Sequence, residues 1–223
     1  MIRTEHRKWI ILSLLFLATA INYVDRQTLS ILAPVLRQEL HLSEFVYANI
    51  VTAFLIPYTV MYALGGRLMD KLGSKKGLGL ALGVWSIATM LTGLARGAFS
   101  LGFFRSLLGL AEPCVFPAGI RACAEWFGPR QRALATGVFS SGSAVGAIIA
   151  APVIAVCSLS LGWRWAFLLP GLLGFLWLPF WWTLYKDHGP FAASANRKDI
   201  DNASWRTLLH KREVWGLVLP RLA

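Results

Sequence analysis

Along the chain, apolar runs of about 20 residues alternate with short polar stretches, the spacing of helices that cross a bilayer hydrocarbon core. Hydropathy windows predict spans at residues 9–34, 45–66, 78–95, 98–120, 133–158 and 164–185, with a seventh beginning near Val214. The one long polar segment, 186–213, carries Gly, Pro, Asn, Asp and Ser in its first half. Runs of this length and apolarity are the pattern of an all-α membrane protein. It divides into a six-span unit (1–185), a loop (186–213) and the start of a further span (214–223).

Several residues inside the spans qualify this picture. Pro57, Pro113, Pro117, Pro152, Pro170 and Pro179 fall within apolar runs, where a missing N–H tends to kink a helix and neighbours must satisfy the freed carbonyl. Gly142 and Gly146 form a small-xxx-small face suited to close helix contact. Trp163, Trp165, Trp181 and Trp182 stand at the two ends of the sixth run, where aromatic belts form.

Composition makes the membrane reading firm. The chain is 56% hydrophobic and only 15% charged, with a mean hydropathy of +0.56, too little polar surface to cover a soluble globule. A net charge of +11 raises nucleic acid as a partner, but no basic face or binding motif accompanies it. The cations collect between spans instead. With the N-terminus cytoplasmic, sixteen Lys and Arg fall on the inside, among them Lys71, Lys75 and Lys76, against Arg37, Arg96 and Arg164 outside. That asymmetry sets the orientation. Arg3, Arg7 and Lys8 before an apolar run, with Ala18-Thr19-Ala20, resemble a signal peptide, yet the run continues past them and reads as an uncleaved first span. Cys114, Cys123 and Cys157 lack metal-ligand spacing and read as small buried hydrophobes. His6, His41, His188 and His210 all lie outside the spans. Neither an intramembrane enzyme, nor a metal, nor a cofactor is therefore expected.

Two spans carry charge at bilayer depth. The stretch 101–117 holds Arg105 and Glu112, and 9–34 holds Asn22, Tyr23, Asp25 and Arg26. An ion at the bilayer centre costs on the order of 2.5–3.5 kcal/mol on insertion scales, so these groups must face inward and find partners. Arg105 and Glu112 are seven positions apart, nearly two turns, and share a helix face. A guanidinium offers a planar fork to a carboxylate. A buried carboxyl is tuned upward by desolvation and downward by a neighbouring arginine. Together they suggest a polar cavity for an organic anion and a proton, and the competing reading is a structural ion-pair network without a ligand.

The loop after the second span reads GGRLMDKLGSKKG. Gly66, Asp70, Lys71, Gly73, Lys75 and Lys76 match G-x-x-x-D-[RK]-x-G-x-[RK]-[RK], which resembles the signature loop of the major facilitator superfamily. In physical terms Gly66 permits close helix approach, Gly73 a tight turn, and Asp70 accepts bonds from an adjacent helix N-terminus. Arg105-x-x-x-Gly109 resembles that superfamily's fourth-span motif, and Glu125 with Arg132 resembles its repeat between spans four and five. The segments NYVDRQTLSILAP, RSLLGLAEPCVFPAG, EWFGPRQRALATGVFSSGSAVGA and GWRWAFLLPGLLGFLW resemble the anion:cation symporter family within it, most of all its hexuronate transporters.

The resemblance implies a six-helix N-terminal half of a twelve-span fold, built as a 3+3 inverted repeat in which span four is the counterpart of span one. By resemblance Arg26 and Arg105 are ligands of the substrate carboxylate, Tyr23, Tyr58 and Asn22 contact the sugar acid, and Asp25 and Glu112 handle protons. Gly66, Asp70, Lys71, Gly73, Lys75, Glu125 and Arg132 form the conformational motif. The expected protein is a proton-coupled hexuronate symporter of a bacterial inner membrane, whose partners are a sugar-acid anion, protons, the bilayer and a missing C-terminal half. The alternatives are a non-functional truncation product and a membrane protein that binds without transporting. Charge balance suggests that ionised Asp25 and Glu112 neutralise both arginines, and that protonation frees them for the anion.

Overall fold

A computed structural model describes residues 4–186 and Phe191, and among these there are helices and no strands. Helix α1, Thr4–Ile31, holds most of the first predicted span. It stops short of Pro34, which sits in the first turn of a separate short helix, α2, Ala33–Glu39. There the missing N–H costs nothing, because first-turn donors have no intrahelical acceptor. Ser43 then caps α3 by accepting a hydrogen bond from the Val46 N–H at 3.2 Å.

The second and third predicted spans are one element here. Helix α3 runs Glu44–Gly93, two helices joined across a kink at Gly73, whose φ of 75° and ψ of 164° are non-helical. A straight helix of 50 residues would be roughly 75 Å long, more than twice the hydrocarbon thickness. Glycine supplies the backbone conformation that breaks it. Among the described residues five helices are long and apolar enough to cross a membrane, and one of them, α3, is itself two helices joined at the Gly73 kink.

The fourth predicted span, 98–120, is interrupted. Helix α4, Ala98–Ala111, passes into a 3-10 turn at Glu112–Cys114 and then into α5, Val115–Trp126. Pro113 in that turn removes one ladder donor where the helix changes pitch. Pro57, Pro152, Pro170 and Pro179, by contrast, lie inside α3, α6 (Pro129–Leu161) and α7 (Trp165–Leu184). The seventh span and nearly all of the loop 186–213 lie outside the described residues.

Helix packing follows the small residues. A Cβ on Gly142 would stand 2.5 Å from the Phe16 carbonyl oxygen, and one on Gly146 would collide with the Ala20 carbonyl. The small-residue face of α6 thus lets the α1 backbone approach closely, as its spacing predicted. Gly109 does the same for α4 against the Phe54 carbonyl of α3. Three apolar clusters result, one around Leu15, Leu82, Trp85 and Phe139, one around Leu36, Ile154 and Phe167, and a smaller one of Leu42, Ile50, Ala95 and Leu101.

The tryptophans divide. Trp165 and Trp182 are exposed, as a belt requires, whereas Trp163 and Trp181 are buried. Trp181 stacks on Trp177 at 5.0 Å and on Tyr185 at 4.2 Å, and donates its N–H to the Lys75 carbonyl at 2.9 Å. It is a packing anchor.

Candidate functional site

The charged residues of α1, of α4 and of the 3-10 turn that follows it meet inside the helix bundle. Asp25 is fully buried. Its Oδ2 accepts hydrogen bonds from the Trp85 indole N–H and the Thr89 hydroxyl, each at 3.0 Å, and its Oδ1 has no hydrogen-bond partner. Arg105 is 2% exposed. Its Nε and Nη2 have no hydrogen-bond partner, and its guanidinium carbon lies 5.1 Å from the centre of the Phe167 ring, a cation–π geometry.

Arg26 is placed differently. Its Nε and Nη2 reach Glu112 Oε1 at 2.6 and 2.5 Å, and Nη2 also donates to the Tyr58 hydroxyl at 2.9 Å. The guanidinium carbon sits 5.2 Å from the Tyr23 ring centre and 4.9 Å from that of Tyr58. The Arg26 side chain is 32% exposed and that of Glu112 only 1%. Glu112 Oε2 and Asn22 Nδ2 are buried without partners.

Two cations and two carboxylates therefore share one buried region, but not as two ion pairs. Charge balance suggested that each arginine would be neutralised by a carboxylate. Glu112 does pair with Arg26, while Asp25 spends one oxygen on neutral donors and, among the described residues, Arg105 has no ion pair within 4.0 Å. The reason is positional: the post-kink part of α3 brings Trp85 and Thr89 to Asp25, a contact that span-by-span reading does not show. A buried guanidinium with two unsatisfied donors is costly to leave so, and it is well matched to a carboxylate or another planar anion. Sequence reasoning named all four charges, Asn22, Tyr23 and Tyr58. It missed Trp85, Thr89 and Phe167, whose polar or aromatic character inside spans was the available signal.

A second cluster surrounds the kink at Gly73. Arg121 Nη1 donates to the Asp70 carbonyl at 2.9 Å and to Asp70 Oδ1 at 3.2 Å, while its Nε donates to Glu125 Oε1 at 3.0 Å. Glu125 also accepts from the Ser74 hydroxyl at 3.0 Å and, through Oε2, from the Tyr185 hydroxyl at 2.5 Å. Two expectations change here. Asp70 takes its bonds from a guanidinium of α5 and not from a helix N-terminus, because the turn at Gly73 lays the end of the first part of α3 beside Arg121. Gly66 faces open space, with nothing within 4 Å of an added Cβ; the close approach is one residue earlier, where a Cβ on Gly65 would lie 3.2 Å from Cys114 Sγ. Arg132 donates through Nε to the Phe127 carbonyl at 3.0 Å. Lys71 is exposed, and Lys75 Nζ stands 5.9 Å from the Trp182 ring centre. A cavity of about 720 Å³ lined by Glu5, Lys8, Trp126, Arg130, Gln131 and Phe191 opens elsewhere and includes none of Asp25, Arg26, Arg105 and Glu112.

Against known proteins, the family model described as Major Facilitator Superfamily matches residues 15–222. The chain is 32% identical over 229 residues to the hexuronate transporter of Escherichia coli strain K12, covering 96% of this chain and 53% of that protein. It is 30% identical over 237 residues to the galacturonate transporter of Dickeya chrysanthemi, covering 99% of this chain and 68% of that protein. Among solved structures, a bacterial homologue of the human lysosomal transporter Spinster superposes with a TM-score of 0.69 at 21% identity, covering 91% of this chain and 48% of that one. The chain thus spans about half the length of several of the proteins it matches.

Proposed function

The chain belongs to the Major Facilitator Superfamily, and on that footing we propose that it forms one wall of a secondary carrier moving a sugar-acid anion together with protons. The observation that carries the reading is Arg105: a buried guanidinium with two unsatisfied donors, beside an Arg26–Glu112 pair and a carboxylate that neutral groups hold. Relatives named as hexuronate and galacturonate transporters support the substrate class.

In this reading the four ionised side chains sum to zero charge. An arriving carboxylate makes the sum −1, and one proton on Asp25 or Glu112 restores neutrality, which a low-dielectric interior strongly favours. Arg26 is the entry contact, since part of its side chain is exposed while Arg105 is not. The substrate carboxylate displaces Glu112 from the Arg26 fork, one of the two buried carboxylates takes the balancing proton, and Arg105 becomes the second ligand. Tyr23, Tyr58 and Asn22 meet the hydroxyls of the sugar acid, and groups beyond these residues supply the opposite wall. The charge asymmetry of the connecting segments supports a bacterial cytoplasmic membrane with the N-terminus inside.

The test is uptake of labelled glucuronate or galacturonate into proteoliposomes containing the protein expressed from its whole gene. An inward proton gradient should drive accumulation, and a protonophore should abolish it. Arg105→Ala should lower uptake on the order of a hundredfold, the scale of truncating one member of a buried charge system. Wild-type uptake by that variant removes Arg105 from its role, and a carrier driven by sodium with no response to the proton gradient removes the protons.

A further inference from the structure

The two buried carboxylates are not equivalent, and the difference lies in which oxygen is occupied. Glu112 faces a partly exposed cation, Arg26, from which an anion can separate it. Asp25 is tied through Oδ2 to two neutral donors that stand four positions apart on α3, Trp85 and Thr89, hence on one face and one turn from each other. An indole N–H can only donate, so it needs an acceptor whatever the charge of the aspartate. Oδ1 has no partner.

We infer that Asp25 loads its proton at Oδ1, and that Trp85 and Thr89 are positioning residues holding Oδ2 as the fixed acceptor in both charge states. This rests on the proton-coupled reading above and names the atoms that serve it. On loading, an O–H bond forms at Oδ1 with a proton taken from bulk water, the carboxylate charge goes from −1 to 0, and Oδ2 becomes a carbonyl oxygen that still accepts from both donors. Protonation therefore changes the charge seen by Arg105 without releasing the tether to α3. The charged groups acting on Asp25 are Arg105 of α4, Arg26 on its own helix and Glu112 in the turn after α4. Among the described residues no other hydrogen bond joins Asp25 to α3, so the tether depends on these two side chains.

Infrared difference spectra of the purified protein between alkaline and acid buffer test the assignment independently of transport. The expected signal is the C=O stretch of a protonated carboxyl that is missing in Asp25→Asn. Loss of a donor to Oδ2 strengthens the C=O bond, so Trp85→Phe and Thr89→Val should each move this band to higher frequency, while Thr89→Ser should leave it at the wild-type position. A band that persists in Asp25→Asn, that does not appear in wild type, or that stays still in Trp85→Phe and Thr89→Val overturns the assignment. Should Trp85→Phe fail to fold, Thr89→Val against Thr89→Ser decides alone. If the band behaves as described but proteoliposomes take up no sugar acid, the transport reading falls and the proton site stands.

Discussion

Arg26 and Arg105 carry the same charge and do different things because of their surroundings. Arg26 lies across Tyr23 and Tyr58 with its fork on Glu112, and the two rings stabilise the cation on its partly exposed side. Among the described residues Arg105 has the Phe167 face and two unsatisfied donors, so it gains most from an incoming anion. Glycines at this scale also separate sharply by what surrounds them. Gly109→Ala places a methyl on the Phe54 backbone carbonyl, which cannot move as a side chain can. It should lower stability by about 1–3 kcal/mol, the range for overpacking. Gly66→Ala meets nothing within 4 Å and should be neutral to within about 0.5 kcal/mol. Thermal unfolding of both variants in detergent checks the contrast, and equal effects would contradict the packing described.

At the scale of elements, the kink in α3 organises both charged regions. Its second part delivers Trp85 and Thr89 to Asp25, and Ser74, next to the kink, reaches Glu125. The end of α7 closes this second cluster through Tyr185, just beyond the Trp165–Leu184 helix. Burial, and then the adjacent Glu125 carboxylate, raise the Tyr185 phenol above its ordinary value, so it stays neutral and donates. The native state thus keeps a proton that the unfolded chain releases above about pH 10. The sign follows: this contribution is intact below that pH and declines as pH rises beyond it. Tyr185→Phe should cost about 1–3 kcal/mol at neutral pH, the range for losing a hydrogen bond to a charged partner. It should also flatten the loss of stability on alkaline titration. Melting temperatures of wild type and variant across that range measure it, and parallel curves would rule the phenol out as the titrating group.

For the molecule as a whole, one prediction concerns direction. Segments bearing Arg3, Arg7 and Lys8 and the Lys71–Lys76 cluster should share the cytoplasmic face, with Arg96 on the other. Single-cysteine variants at Lys75 and Arg96, in a background lacking Cys114, Cys123 and Cys157, should react with a membrane-impermeant maleimide from opposite sides of intact cells. Arg96→Cys should label first and Lys75→Cys only after permeabilisation. The reverse order would invert the orientation and the proposed direction of proton flow.

The all-helical membrane class, the family and the identity of the charged residues were legible in the sequence. They depend on local quantities: run length, residue type and short motif spacing. A charge inside an apolar run declares itself because hydrocarbon offers it no solvation. Gly142 and Gly146 were legible for a similar reason, since small residues at helical spacing mark close contact. Partner choice was not legible. That Asp25 meets Trp85 and Thr89, that Arg105 is left without a carboxylate, and that Asp70 meets Arg121 each depend on residues 51 or more positions apart being brought together by a kink and by helix packing. Periodicity carries no information about such pairings, because a helix face states what it must bury and not against which neighbour. The chain thus specified on its own which groups leave water. Only the tertiary structure decided which of them meet, since that depends on a single backbone turn at Gly73 and on where the α1, α4 and α7 surfaces come to rest against it.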